Sequence, residues 1–326
     1  MIVAGRNERA FFMRSFIRAV ELWTSDEAGA SLEYASGIYN DDLEEFREIS
    51  ELALFAHGEG LPGKAWAAGH PIILTDFADS YFRRADEARL FGLTCAVAFP
   101  VFAAGSIKSV VGLLCGNDTD EAVGAIELWH NNAELSHEMT LVDGYYGAAK
   151  DFELNSRHTK FLRGYGLPGR AWKANAPVLI KDIGESRQFL RAEDAAKSGL
   201  NFGLAIPYTS GEHETWVISF LSALRSPIAR RCEIWRPVPE GGALAFHSGY
   251  CSSGADLDAI FSGKTIHKGE GALGQALASV SPVISSDVSR ESSIAARVAA
   301  KAGLRQTIVL PVLSGTELQA VVAWYP

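Results

Sequence analysis

Two aspartates and two arginines occur at matching positions in this sequence and could bind an anion. Asp76 and Asp182 each lie five residues after a proline, and Arg84 and Arg191 each lie eight residues before a Gly-Leu pair. A guanidinium group binds carboxylate or phosphate oxygens through two parallel hydrogen bonds, so both arginines are candidate contacts for an anionic ligand. The alternative is structural. Each arginine then pairs with the recurrent aspartate of its own repeat, and each aspartate caps a turn.

Two tryptophans and one cysteine complete the set of candidate binding residues. Trp66 and Trp172 end two copies of a glycine-rich segment, where an indole ring either packs in a core or forms a platform for a planar ligand. Cys95 is a candidate ligand contact. With Cys115 it is also a candidate redox thiol, a role that requires an exposed thiol beside a basic group.

No residue pattern in the sequence indicates catalysis or metal binding. The eight histidines and four cysteines form no pair at metal-ligand spacing, and no Ser-His-Asp or Cys-His set recurs. Cysteines without a shared spacing are typical of free thiols in a reducing compartment. We therefore predict a binding protein rather than an enzyme, and the sequence identifies no cofactor and no metal.

The elements that carry these residues occur three times. Gly-Leu-Pro-Gly-(Lys/Arg)-Ala-Trp spans residues 60–66 and 166–172, and a degraded copy spans residues 271–277. A Glu-(Leu/Ile)-Trp tripeptide precedes each copy, and its tryptophans Trp23, Trp129 and Trp235 are 106 residues apart. A period of this length matches the usual size of a domain and exceeds that of solenoid repeats. We predict three modules, at residues 1–119, 120–226 and 227–326.

Module 1 shows the pattern of an antiparallel sheet with helices packed on it, an α+β fold. Strands are predicted at residues 16–23, 32–38 and 71–75, and residues 94–102 and 109–115 form a hairpin. Helical spacing runs from Leu43 to Phe55 and again over residues 83–91, with a two-turn helix between Gly60 and Gly69. A further helix is predicted before the first strand, over residues 6–19.

The glycine loop also matches the dinucleotide-binding pattern G-x-G-x-x-G, at Gly58, Gly60 and Gly63. That pattern requires a preceding buried strand and a full-length helix after it. Here the preceding residues have helical spacing, the following helix is short, and Pro62 removes one backbone donor from the place where phosphate would bind. We therefore interpret the loop as structural.

The segment from Gly60 to Gly116 resembles GAF domains, such as the sensor modules of bacterial histidine kinases. The resemblance is carried by residues 60–66, Pro71 to Asp76, Phe82 to Ala85, Gly92-Leu93, and the hairpin motifs at 98–101 and 110–113. Module 2 repeats these features and module 3 is the most divergent. The resemblance implies three tandem GAF-like domains, with a ligand held between a sheet and the helices and loops around residues 58–76. It does not identify the ligand.

Composition restricts the partners and the location. A formal net charge of −9 with no basic cluster argues against a nucleic-acid partner. No stretch reaches the roughly 20 apolar residues that cross a bilayer, and Arg14 and Arg18 interrupt the first apolar run. We expect a cytoplasmic protein without a membrane partner.

The sequence therefore predicts a small-molecule sensor or regulatory subunit that lacks a catalytic output domain. Its predicted ligand-binding residues are Trp66, Asp76, Arg84, Cys95, Trp172, Asp182 and Arg191. Two alternatives stay open at this point, namely a scaffold whose modules bind no ligand, and a thiol-based redox sensor or reductase. From the resemblance we also expect a signalling protein as partner and pairing into a homodimer.

Overall fold

A computed structural model describes residues 16–103, 105–116, 123–210, 213–224 and 226–326. The described chain forms three six-stranded antiparallel sheets, each with its own set of helices. The α+β fold class and the arrangement as three tandem modules are therefore confirmed. The predicted boundary between residues 119 and 120 lies outside the described residues, and the boundaries as limits of independent domains stay a prediction.

Each module contributes six strands and three α-helices in the same chain order. Module 1 comprises β1 (Ile17–Ser25), β2 (Ser31–Tyr39), α1 (Glu44–Glu51), β3 (Leu54–Ala56), α2 (Gly60–Ala68), β4 (Ile72–Leu74), α3 (Ala85–Leu90), β5 (Leu93–Ala103) and β6 (Ser106–Gly116). Module 2 comprises β7 (Val123–Asn132), β8 (Glu138–Gly147), α4 (Lys150–His158), β9 (Lys160–Leu162), α5 (Gly166–Ala174), β10 (Val178–Lys181), α6 (Ala192–Lys197), β11 (Leu200–Ser210) and β12 (Glu214–Ala223). Module 3 comprises β13 (Arg231–Pro237), β14 (Ala243–Cys251), α7 (Leu257–Phe261), β15 (Thr265–His267), α8 (Gly271–Ser279), β16 (Val283–Ser285), α9 (Ile294–Lys301), β17 (Thr307–Ser314) and β18 (Glu317–Tyr325).

The strand order is identical in the three sheets. In module 1 it is β3-β2-β1-β6-β5-β4, and the equivalent strands follow the same order in modules 2 and 3. The first strand of each module pairs with both its second and its last strand, so it lies at the centre of the sheet. Matching residues of the repeats therefore occupy matching places in space, and the modules can be compared position by position.

Two predicted helices of module 1 differ from the structure. The helix predicted from Leu43 to Phe55 ends at Glu51, and residues 54–56 form strand β3 against β2. Phe55 is buried by sheet packing rather than on a helix face, although its spacing fits both periods. Residues 6–15 of the predicted N-terminal helix lie outside the described part of the chain. Residues 17–19 belong to β1, because their backbone completes the ladder with β6.

The geometry of the glycine loop agrees with a structural role. The third glycine of the motif packs against strand β3 so closely that a Cβ on Gly63 would lie 2.1 Å from the Ala56 carbonyl oxygen. The amides of Gly58, Glu59 and Gly63 donate to carbonyl oxygens within the segment, so they do not form a free anion cradle. Gly69 ends α2 in the left-handed conformation at φ 69°, as its position predicted.

Each sheet is buried on both faces. One face packs on the helices of its own module and forms one of three separate cores. The other faces meet in a fourth, central core to which all three modules contribute, for example Val97, Leu204 and Ile308. A sheet covered on both sides has no free face, so the three modules form one packed unit around this central core.

The modules are also arranged in a closed cycle. Strand β4 of module 1 contacts β8 of module 2, the equivalent β10 contacts β14 of module 3, and β16 of module 3 contacts β2 of module 1. Equivalent strands thus make equivalent contacts at all three junctions. This is the pattern of a heterologous interface that closes into a ring, here formed within one chain.

Candidate functional site

The interior of module 1 is filled by a buried ion pair. Arg84, at the N-terminal end of α3, donates two hydrogen bonds to Glu21 on β1, from Nη1 to Oε1 at 2.6 Å and from Nη2 to Oε2 at 2.8 Å. Both side chains are at most 5% exposed. The Arg84 guanidinium lies 4.9–5.9 Å from the ring centroids of Trp23, Phe46, Phe55 and Phe82. Aromatic rings around a guanidinium form a cation cage, and the protein's own arginine occupies it.

Hydroxyl groups complete the coordination of the Glu21 carboxylate. Ser50 donates to Oε1 at 2.8 Å and Tyr39 donates to the same oxygen at 3.0 Å. Burial alone would raise the pKa of Glu21, but the Arg84 charge and these hydrogen bonds outweigh it, so the pKa lies below its ordinary value. The carboxylate is therefore ionised and fully paired.

Module 2 repeats this arrangement. Arg191 Nη2 donates to Glu127 Oε2 at 2.8 Å, and the Tyr146 hydroxyl donates to Glu127 Oε1 at 3.1 Å. Four aromatic rings again surround the guanidinium, at centroid distances of 4.6–5.5 Å. The interiors of modules 1 and 2 are thus two copies of one closed structure.

Module 3 obtains its arginine from a different element. The position equivalent to Arg84 is Ala295, whereas Arg231 stands on β13, two residues before Glu233, and forms a buried ion pair with it. Modules 1 and 2 have Ala19 and Ala125 at that strand position. Residues two apart on a strand project from the same face, so Arg231 reaches the carboxylate from the strand. Arg84 reaches the equivalent carboxylate from the start of α3.

The seven predicted ligand-binding residues do not form one site. Arg84 and Arg191 are buried in the module interiors, and their partners are Glu21 and Glu127, so the structural alternative that paired them with the recurrent aspartates is wrong. Trp66 and Trp172 are partly buried against the edges of their module cores. Asp76 accepts a hydrogen bond from the amide of Ala78, as a turn former does. Asp182 adopts a left-handed conformation at φ 50°. A ligand contact by any of these residues stays a prediction.

Cys95 lies on the opposite face of the sheet, in the central core. It is paired across strands β5 and β6 with Cys115, and both thiols are fully buried. Burial, reinforced by the neighbouring Cys115, raises the pKa of Cys95 well above its ordinary value. All four cysteines are buried, so the exposure that a redox thiol requires is not met in this structure.

A cavity of about 100 Å³ lies where the three modules meet, at the hairpin end of the central core. Its wall is built from the same four-residue segment of each module, namely residues 99–102 of β5, residues 206–209 of β11 and residues 310–313 of β17. The remaining lining residues are Pro71, Ile218 and Gly315. One cavity therefore serves three modules and contacts each of them through an equivalent strand.

The recurrent prolines explain why these strands can converge without pairing. Pro100, Pro207 and Pro311 occupy equivalent positions in the lining segments, beyond the point where the short neighbouring strands end. A proline has no backbone N–H, so it interrupts the hydrogen-bonding edge of a strand. These prolines recur at a constant offset in the three modules of the sequence, but their recurrence alone did not show that they lie close together in space.

Polar groups in the cavity wall come mainly from module 2. Tyr208 and Thr209 stand where module 1 has Val101 and Phe102, and where module 3 has Val312 and Leu313. The Thr209 Oγ1 atom is buried and has no hydrogen-bond partner among the described residues. Burial raises the pKa of Tyr208, so its phenol stays protonated at neutral pH. The described residues that line the cavity carry no charged side chain.

The described residues contain neither a cluster of metal ligands nor a helix that could span a membrane. Histidine, cysteine, aspartate and glutamate side chains form no group of three or more that could hold a metal ion within the described ranges. None of the described helices is both long and apolar enough to cross a membrane.

Comparison with known proteins places GAF domains among the structures that this chain is similar to. No protein-family model and no curated protein matches the chain. A free methionine-R-sulfoxide reductase from Neisseria meningitidis, in complex with its substrate, is 17% identical with a TM-score of 0.24, over 30% of this chain and 52% of that chain. The nlh2 GAF domain of A. aeolicus is 23% identical with a TM-score of 0.25, over 32% of this chain and 61% of that chain. The GAF domain/HD domain protein from Geobacter sulfurreducens is 16% identical with a TM-score of 0.27, over 32% and 65%. Each match spans about one module of this chain and less than two thirds of the matched chain.

Proposed function

We propose that this protein is a small-molecule-binding regulatory protein with a single ligand site at the junction of its three modules. The observation that carries the proposal is the central cavity, which is lined by equivalent segments of β5, β11 and β17. Apolar cavities with a few polar groups, at the interface between domains, are typical ligand sites. The interiors of modules 1 and 2 do not offer such space, because an ion pair and aromatic rings occupy them.

A ligand in this place is well situated for regulation. Its contacts come from three modules, so its binding free energy depends on how the three modules are arranged around the central core. A ligand shifts a conformational equilibrium by as much as its affinities for the two states differ. Occupancy of the cavity would therefore favour one arrangement of the ring. We propose that a signalling protein, or a second copy of this chain in a homodimer, responds to that arrangement in the cytoplasm.

The second candidate function is a scaffold without a ligand. The closed interiors of modules 1 and 2 favour it, since each aromatic cage already holds an internal cation. The closed cycle of module contacts favours it as well, because it presents three similar outer surfaces in a fixed arrangement. A scaffold of this kind predicts an empty central cavity.

Native mass spectrometry of the purified protein separates the two candidates. The native mass is compared with the denatured mass, for the wild-type chain and for Val312→Phe, which places a phenyl ring in the cavity. A small molecule retained by the wild type and lost from the variant supports the proposal. Retention by both proteins would place the site elsewhere. No retained mass, together with no thermal shift from nucleotides, amino acids, organic acids or neutral aromatic compounds, would favour the scaffold.

A further inference from the structure

We propose that the central cavity takes one small, neutral, mainly apolar molecule per chain, with a single hydrogen-bonding group directed toward module 2. This inference rests on the proposed function and specifies the ligand class. A one-ring aromatic alcohol, such as a phenol, represents the class.

The size of the cavity restricts the ligand to about one ring. The volume is about 100 Å³, whereas sites for drug-sized ligands are several times larger. An engineered apolar protein cavity of about 150 Å³ stays dry and binds benzene. A nucleotide, a haem or a bilin is too large for this space. Each lining segment belongs to a strand that pairs with the next strand of its sheet, with a register shift inside the segments of β5 and β17.

The wall excludes a charged ligand. Among the described residues, no lysine, arginine, histidine or acidic side chain lines the cavity, so an ion entering it would lose its hydration without gaining a partner from them. Tyr208 cannot compensate for an ammonium group as a phenolate would, because burial raises the pKa of its hydroxyl and keeps it protonated. A neutral molecule has no such cost, and its apolar surface gains from leaving water.

The asymmetry of the wall orients the ligand. Modules 1 and 3 present Val101 and Val312 at the position where module 2 has Tyr208. Tyr208 packs on the central core beside Ile206, so its phenol is the polar side chain on the cavity face of the described wall, and a hydroxyl removed from water gains from a hydrogen bond that a ligand supplies. One polar group on the ligand is therefore matched on one side of the cavity only.

A fluorine NMR titration of the full chain tests this inference with three probes: 4-fluorophenol, fluorobenzene and 4-fluorobenzoate. We expect one bound 4-fluorophenol per chain, with fluorobenzene about fivefold weaker for lack of one hydrogen bond. We expect 4-fluorobenzoate to bind at least about tenfold weaker than 4-fluorophenol, because its charge is desolvated. Tyr208→Phe should remove the preference for the phenol while fluorobenzene binding persists, and Thr209→Val, whose side chain projects from the opposite face of β11, is the control that should keep the preference.

Cavity-filling variants locate the site. Val312→Phe should abolish binding of both neutral probes, and Ile206→Phe fills the cavity from module 2 if the first variant does not fold. Three bound probes per chain, or binding that survives a folded filling variant, would overturn the inference. If no probe binds but mass spectrometry finds another molecule that is lost on filling, the ligand class is wrong and the proposed function stands. If neither probe nor retained molecule is found, both are wrong.

Discussion

Modules 1 and 3 both contain a buried Glu–Arg pair, but the arginine comes from a different element in each. In module 1 the arginine comes from the start of helix α3, so the pair joins the helical layer to the sheet. In module 3 both partners stand on strand β13, two residues apart, and the position equivalent to Arg84 is Ala295. The comparison indicates that a guanidinium in this interior matters more than the element that supplies it.

The two arrangements differ in how well the carboxylate is satisfied. Glu21 receives hydrogen bonds from Arg84, Ser50, Tyr39 and Trp23, and its pKa lies below the ordinary value. Glu233 accepts a hydrogen bond from Trp235 and forms an ion pair with Arg231, and Cys251 stands where module 1 has Tyr39 on the neighbouring strand. Burial therefore dominates at Glu233 and raises its pKa, although Arg231 opposes this. Module 3 retains the ion pair and lacks much of its hydrogen-bonding support.

The largest effect is expected from Glu21→Gln. The variant leaves the Arg84 charge buried without a counter-ion, which costs about 3–5 kcal/mol in the free energy of unfolding. Urea unfolding followed by tryptophan fluorescence measures the change. Glu59→Gln is the matched control, because it breaks the exposed Glu59–Arg83 pair of the same module and should cost about 1 kcal/mol or less. Equal effects of the two variants would contradict the structural role given to the buried pair.

A transplant of the module 3 arrangement into module 1 should recover part of that stability. Arg84→Ala alone removes the cation, whereas Ala19→Arg together with Arg84→Ala supplies one from the strand, as Arg231 does in module 3. We expect the double variant to be about 0.5–3 kcal/mol more stable than the sum of the single changes, as measured by a double-mutant cycle. Ala19→Arg in the wild-type background is the control and should destabilise, since two guanidinium groups then share one carboxylate. An additive cycle would show that the two positions are not interchangeable.

The smallest effect is a difference in pH dependence between the two carboxyl groups. The folded pKa of Glu21 is lowered, so its contribution to stability is present above the ordinary pKa of 4.5 and is lost as the pH falls through the folded pKa. The folded pKa of Glu233 is raised, so its contribution is present below 4.5 and is lost as the pH rises through the folded pKa. From acid to neutral pH, the stability lost in Glu21→Gln should therefore grow, while that lost in Glu233→Gln should shrink. Parallel curves would refute the contrast.

The repeat made much of the fold predictable from the sequence. Landmarks at constant offsets identified the three modules, and the terminal hairpin and the glycine-capped helix of module 1 followed from local patterns that are decided within a few residues. Strand β3 was missed because three residues carry too little periodicity to distinguish a strand from the end of a helix. The strand predicted at residues 16–23 is confirmed as β1, whereas the helix predicted over residues 6–19 is wrong at residues 17–19, because pairing with β6, far along the chain, decides that segment.

The candidate site was much less predictable. The recurrence of Glu21, Glu127 and Glu233 in the tripeptide was visible, yet nothing local indicates that Arg84 reaches a strand 63 residues earlier. The central cavity depends on how the modules pack on one another. Hydrophobic patterns within a module indicate only which faces of its own sheet are buried. The recurrent prolines were the sequence signal for the cavity. They could be interpreted only once the structure showed that the three strands that carry them meet.

The shared central core has a consequence for synthesis of the chain on the ribosome. Among the described residues, the face of the module 1 sheet that belongs to the central core, with Val20 and Val97, is covered by parts of modules 2 and 3. At about 5–20 residues per second, the last hundred residues take on the order of 5–20 s to emerge. If the first module folds during that interval, it carries an uncovered apolar sheet, the kind of surface that chaperones bind. We expect truncated chains that lack module 3 to aggregate or to be held by such factors.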